Sequence, residues 1–368
     1  MFLGLVTWPL VASAQQGGAP APIVCAGTPQ AAAAAQNPGR GGGRGPAQPP
    51  PTGIAPPSPD VTTTEIAGVI KGGLKWTQIM WEAIGNNGDG IVSDKDGNVY
   101  FAQEVNSAAL KIDKNDKVTV FAESPGIGSL AIDEKGRMFS VRRMLLPGNP
   151  AFAGPNPPPT GGVVQLTPEK KILADTAADG TKWVGGPSDL AADKRGGAYF
   201  TQGCLYYASP DGKITLAAEM RTNGITFSPD YKVLYLTQNP GAPDEAPTMV
   251  AFDVQPDATL TNRRTFVTLK QDPADRANGD GSMVDAAGRL YVSVGSTIQV
   301  FDKSGKSLGS IPTPGRAISI ALGGPEHKTL YVVVNASIGL QGALPGVQRT
   351  MRVFRIPAVA QGLKNRGK

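Results

Sequence analysis

An all-β fold built from six similar units is what this 368-residue chain predicts, and three observations predict it. The first is a phrase that recurs: a short apolar run, an Asp or Ser, a turn containing Gly or Lys, then an aromatic strand. It is read in "GIVSDKDGNVYF", "SLAIDEKGRMFS", "DLAADKRGGAYF", "GITFSPDYKVLY", "SMVDAAGRLYV" and "SIALGGPEHKTLY", whose aromatic residues are Tyr100, Phe139, Tyr199, Tyr235, Tyr291 and Tyr331. The second is spacing: self-similarity at about 40 residues or more, in strand-forming sequence, points to a β-propeller. The third is that a second hairpin follows each phrase, as in "ALKIDKNDKVTVF" and "IQVFDKSGKSLGSI", so each unit has four strands. The count predicts a six-bladed β-propeller.

Residues 1–14, "MFLGLVTWPLVASA", read as an export signal, with Ala12-Ser13-Ala14 as a small-x-small cleavage pattern. The stretch is too short to span a bilayer, and no transmembrane segment is expected. Residues 15–60 are almost all Ala, Pro, Gly and Gln, a composition that buries too little to offset its ordering entropy. They are expected to form a disordered tether ahead of a propeller over 61–360, in an exported, periplasmic or extracellular protein. The last unit ends at "MRVFRIP" and lacks a fourth strand, which "TEIAGVIKGGLKWTQIMWEA" near the start can supply. Closing the ring in this way removes exposed sheet edges. The two cysteines, Cys25 in the tether and Cys204 in the propeller, are not expected to pair, because the bridge would tie a floppy tail to a folded domain.

Composition excludes several chemistries. The formal net charge is +5, but Lys and Arg are scattered, so nucleic acid is not an expected partner. The single histidine, His327, rules out multi-histidine zinc or iron sites and leaves a Ser-His-Asp triad only a residue in a predicted turn. Any metal must therefore be held mainly by oxygen. "DKDG" lacks the twelve-residue pattern and terminal Glu of a calcium loop, and is read as hairpin chemistry.

Aligned on the aromatic strands, Asp89, Gly128, Ser188, Asn223, Asp280 and Ser319 mark equivalent ends of the innermost strands. Asp89, Asn223 and Asp280 are oxygen donors, each followed by a glycine (Gly90, Gly224, Gly281) that lets the backbone come close to the axis. Two carboxylates and an amide converging there would repel without a cation between them, which makes them a candidate metal site. A hydrated polar channel without metal is the alternative. The aromatic strands end at Gln103, Arg142, Gln202 and Gln238. Two long loops, "RMLLPGNPAFAGPNPPPTGG" and "NASIGLQGALPGVQRT", leave from the same mouth, where they are expected to shape a binding site.

Over roughly 80–356, "GDGIVSDKDGNVYF", "GGPSDLAADKRGGAYFTQG", "TNGITFSPDYKVLYLTQ" and "GDGSMVDAAGRLYV" resemble the gluconolactonase and senescence-marker-protein (regucalcin-like) family. The resemblance implies a six-bladed propeller with one divalent cation in its channel, calcium first, with magnesium, manganese and zinc open. It implies hydrolysis of a small-molecule lactone or ester by a metal-activated water. Asn223 and Asp280 fall on the family's metal ligands, and Asp280 also on its proposed base. Asp89 stands where the family has Glu, and Ser188 where it commonly has Asn. Gln103, Gln202 and Gln238 stand where it often has Asp; with Ser188 and Arg142 they are the candidate substrate contacts. Two readings result: an exported metal-dependent hydrolase, and a non-catalytic ligand-binding propeller of the cell envelope. A redox quinoprotein would need Trp-docking repeats that the chain lacks.

Overall fold

A computed structural model of the chain describes Cys25 and residues 59–82, 88–104, 107–144, 158–241, 245–272, 277–336 and 350–368. The export signal, nearly all of the tether and most of the two long loops lie outside these residues. Among the described residues there is no α-helix, and no helix long and apolar enough to cross a membrane.

The strands are β1 (Thr77–Glu82), β2 (Gly88–Ser93), β3 (Val99–Gln103), β4 (Ala108–Ile112), β5 (Val118–Glu123), β6 (Ile127–Ile132), β7 (Met138–Arg142), β8 (Gly162–Gln165) and β9 (Lys171–Ala174). There follow β10 (Thr176–Ala177), β11 (Leu190–Ala192), β12 (Ala198–Ala208), β13 (Lys213–Phe227), β14 (Val233–Gln238), β15 (Thr248–Val254) and β16 (Leu260–Thr268). The last are β17 (Gly279–Val284), β18 (Leu290–Val294), β19 (Thr297–Phe301), β20 (Ser307–Pro312), β21 (Arg316–Gly323), β22 (Thr329–Ala336) and β23 (Thr350–Pro357). They make an all-β, propeller-like arrangement. Four sheets have four strands each: β2-β3-β4-β5, β6-β7-β8-β9, β17-β18-β19-β20 and β21-β22-β23-β1. The fifth has seven strands.

The sequence predicted six separate four-stranded blades, and the seven-stranded sheet departs from that. Its cause is continuity of backbone. β12 runs for 11 residues and β13 for 15, so each spans a segment predicted as two strands with a break between them. The pairing β11-β12-β13-β14-β15-β16 therefore has no gap. Around the axis, β2 packs on β6, β6 on β11, β11 on β13, β13 on β17, β17 on β21, and β21 back on β2. Closure uses the strand expected for it: β1 pairs antiparallel with β23, Thr77 opposite Arg355.

The recurring phrase has a direct physical meaning. All six aromatic residues are buried between sheets, at 8% exposure or less. The Asp after the first strand closes the hairpin turn: Asp94 Oδ1 accepts from the backbone N–H of Asp96 and Asn98. Asp133 and Asp285 do the same in their turns. The Tyr100 and Tyr291 hydroxyls donate to the second oxygen of Asp94 and Asp285, tying strand to turn. "DKDG" is thus hairpin chemistry, as read. His327 is buried beneath these turns, its ring nitrogen 2.8 Å from the Asp94 carbonyl oxygen.

The cysteines correct the sequence reading, since Cys25 and Cys204 form a disulfide across 179 residues. Cys204 lies on β12 in a core with Trp183, Phe200 and Tyr206, and Cys25 enters the same core with only 2% exposure. One point of the predicted tether is therefore part of the hydrophobic interior. Because the bridge closes so long a loop, its loss is expected to lower stability by about 2–4 kcal/mol. Thermal unfolding of Cys25→Ala/Cys204→Ala beside the oxidised protein measures this, and equal midpoints would show that the bridge does not restrain the fold.

Candidate active site in the channel

The six predicted ring positions sit on or beside the inner strands, and five of them fall at an irregularity. Register shifts fall between Asp89 and Ile91, Ile127 and Leu130, Thr222 and Ile225, Gly279 and Ser282, and Ala317 and Ser319. A bulge re-aims the side chain at which it occurs, and here the bulges coincide with the ring. The glycines matter for the same reason. A Cβ on Gly224 would run into the Asp280 carbonyl oxygen, and one on Gly90 into Ser129. Only a bare backbone lets neighbouring strands approach this closely.

Four predicted residues form one chain of hydrogen bonds or lie against it. The Ser188 hydroxyl donates to Asn223 Oδ1 at 2.5 Å, and Asn223 Nδ2 donates to Asp280 Oδ1 at 2.8 Å. Asn223 is set from behind, its carbonyl accepting from the Thr201 hydroxyl at 2.6 Å. Asp89 is close enough for its charge to act on Asp280. Burial, and then that Asp89 charge, push the half-buried Asp280 carboxyl up to about 7, while Arg316 pulls the other way.

Arg142, Gln202 and Gln238 are bonded elsewhere. Arg142 donates to the carbonyl and hydroxyl of Thr160, beside Asp175. Gln202 accepts from the Trp183 indole and donates to the Val184 carbonyl. Gln238 accepts from Arg263 on the outermost strand of its sheet. Gln103 is buried at the end of β3.

Arg143 and Glu104 escaped the sequence reading. Arg143 is 5% exposed and donates to Asp89 Oδ2 at 2.9 Å, to the Ser188 carbonyl at 2.7 Å and to the Pro187 carbonyl at 2.5 Å. Its guanidinium also pairs with the buried carboxylate of Glu104. Space for it comes from Gly128, where a Cβ would strike the guanidinium. The available signal was the pair Arg142-Arg143 at the end of a strand, in which alternation sends the two side chains to opposite faces.

Among the described residues no three His, Cys, Asp or Glu side chains converge, so the candidate donor set is two carboxylates and an amide. This set has the oxygen donors that suit a hard divalent cation. Asp89 is already shared with Arg143 and the Asn223 oxygen with the Ser188 hydroxyl, so a cation would compete with both for its donors.

Residues 174–336 match the family described as SMP-30/Gluconolactonase/LRE-like region. Lactonohydrolase oryH of Aspergillus oryzae is 32% identical over 136 residues, 32% of this chain and 28% of that protein. Lactonase drp35 of Staphylococcus haemolyticus is 24% identical over 271 residues, 64% of this chain and 73% of its own length. A solved gluconolactonase from Xanthomonas campestris superposes with a TM-score of 0.56 at 22% identity, over 84% of this chain and 98% of its own, and shows the same fold.

A raised carboxyl pKa has a stability signature. Between about pH 4 and 7 the folded, metal-free protein retains a proton on Asp280 that the unfolded chain has released. The stabilisation from this group is full below about pH 4 and is lost as pH rises through about 7. In chelator, the melting temperature of the unmodified protein should fall relative to Asp280→Asn across that window, by several degrees at about 1.4 kcal/mol per pKa unit. Parallel curves for the two proteins would show that Asp280 titrates as an ordinary carboxylate.

Proposed function

We propose that this chain, a protein of the SMP-30/gluconolactonase-like family, hydrolyses a small lactone or related ester in its channel. The observation that carries the reading is Asp280, a carboxyl held near neutrality at the strand ends and hydrogen-bonded to Asn223. The curated relatives it matches are lactonases and lactonohydrolases by name, which supports the same chemistry. We count six blades, taking the seven-stranded sheet as two that share β13, because six inner strands close the ring around the axis.

Asp280 serves as general base, taking a proton from the attacking water. The Asn223 amide holds Asp280 Oδ1, which leaves the other carboxylate oxygen to face the water. Ser188 fixes the Asn223 amide by donating its hydroxyl to Oδ1, and its oxygen can accept from a substrate hydroxyl. Arg143 holds Asp89 in place and adds positive charge near the oxyanion that develops on ring opening. A divalent cation on Asn223, Asp280 and Asp89, calcium by the chemistry of the donors, would supply Lewis-acid polarisation of the carbonyl when bound. Export is part of the proposal, supported by the leader-like residues 1–14 and by a disulfide of the kind that persists in oxidising compartments.

Hydrolysis of five- and six-membered lactones, with calcium and with chelator, tests the reading. Asp280→Asn is expected to lose roughly 10²- to 10⁴-fold in rate, the scale of general-base catalysis, even at saturating calcium. Calcium at about 100 times its dissociation constant should raise stability by about 2.7 kcal/mol, and Asn223→Ala/Asp280→Ala should abolish the increment. No turnover of any lactone or simple ester by the unmodified protein would favour the non-catalytic binding propeller.

A further inference from the structure

The channel contains a second buried carboxylate that the hydrolysis above does not use. Asp189, one residue beyond Ser188, is 4% exposed. Its Oδ1 accepts from the Ser129 hydroxyl at 2.5 Å and from Leu190 N–H at 2.9 Å, and its Oδ2 from Ile225 N–H at 3.2 Å. One side chain thus joins three neighbouring inner strands, β6, β11 and β13, directly beneath the ring that carries Ser188 and Asn223. A buried carboxylate needs a counter-charge, and the ammonium of Lys368 supplies it by pairing with Asp189 Oδ1. The Lys368 side chain is 2% exposed.

Lys368 arrives from the opposite end of the channel. Residues 358–368 run across the turns there, with backbone bonds from Ala358 to Lys328, Gly362 to His327 and Gly367 to Ile132. Arg366 anchors the crossing by donating to the Phe227 and Ser228 carbonyls and lying over the Tyr231 ring. A small cavity lined by Ile91, Met283, Ile320, Leu363 and Lys368 separates the segment from the inner strands.

We infer that Lys368 is a positioning residue: its ammonium is a resident cation of the channel, neutralising Asp189 and thereby holding the strands that present Ser188 and Asn223. This rests on the reading of the site above only for the roles of Ser188 and Asn223.

The tests use metal-free protein and no activity assay, so their failure is distinct from failure of the lactonase reading. In reductive methylation of the folded protein, peptide mass spectrometry should find Lys368 modified at least tenfold more slowly than the exposed Lys95. Equal rates would overturn the proposal without any variant. In thermal unfolding, Lys368→Met and Asp189→Asn should each lower the midpoint, and the double variant should lose clearly less than the two separate losses combined; additive losses would overturn the pairing. Ethylammonium chloride should raise the midpoint of Lys368→Ala above that in sodium chloride of equal ionic strength, and should not do so for Lys368→Ala/Asp189→Asn. A merely space-filling lysine would show no such rescue.

Discussion

Crowding at the axis is the constraint on which the rest of the structure depends. Inner strands from every sheet begin around one channel, and their backbones approach until no Cβ fits at Gly90, Gly224 or Gly281. The bulges beside those glycines re-aim Asp89, Asn223 and Asp280, and the last two meet in a hydrogen bond. The polar cluster follows from the way the ring closes. Side chains that help no strand to form are collected there because the strands are not regular at that point.

Charge in this narrow space is distributed unevenly, and the unevenness gives the site its chemistry. Three carboxylates, Asp89, Asp189 and Asp280, line the channel. Arg143 pairs with the first and Lys368 with the second. Among the described residues Asp280 has no ion-pair partner, and its neighbours raise it toward neutrality. Asp89 and Asp189 thus each have a cationic partner in the frame, Arg143 being shared with Glu104, whereas Asp280 lies among neighbours that raise its pKa.

Some of the site was legible in the sequence and some was not, for particular reasons. Asp89, Ser188, Asn223 and Asp280 were found because they occupy one place in a repeated phrase, and a repeat that folds the same way each time delivers equivalent residues to equivalent positions. Arg142, Gln202 and Gln238 also occupied one place, yet their side chains found partners on Thr160, Trp183 and Arg263 instead. Long polar side chains at a strand end have several neighbours within reach, and repeat position does not choose among them. Arg143 was missed because its neighbour fitted the alignment and it did not.

By itself the sequence determined the strand-turn-strand unit, the buried aromatic residue of each unit, the Asp that closes four of the turns, and the strand before the first repeat that seals the ring. These are local properties: turn chemistry and a fixed repeat express themselves within about 40 residues. Tertiary structure alone decided that β12 and β13 run on to merge two units into one sheet, that Cys25 returns to Cys204, and that Lys368 lies beneath Ser188. Each of these joins residues far apart in the chain, where no local pattern couples them. They meet because the closed ring leaves a buried thiol and a buried carboxylate that other parts of the chain can reach.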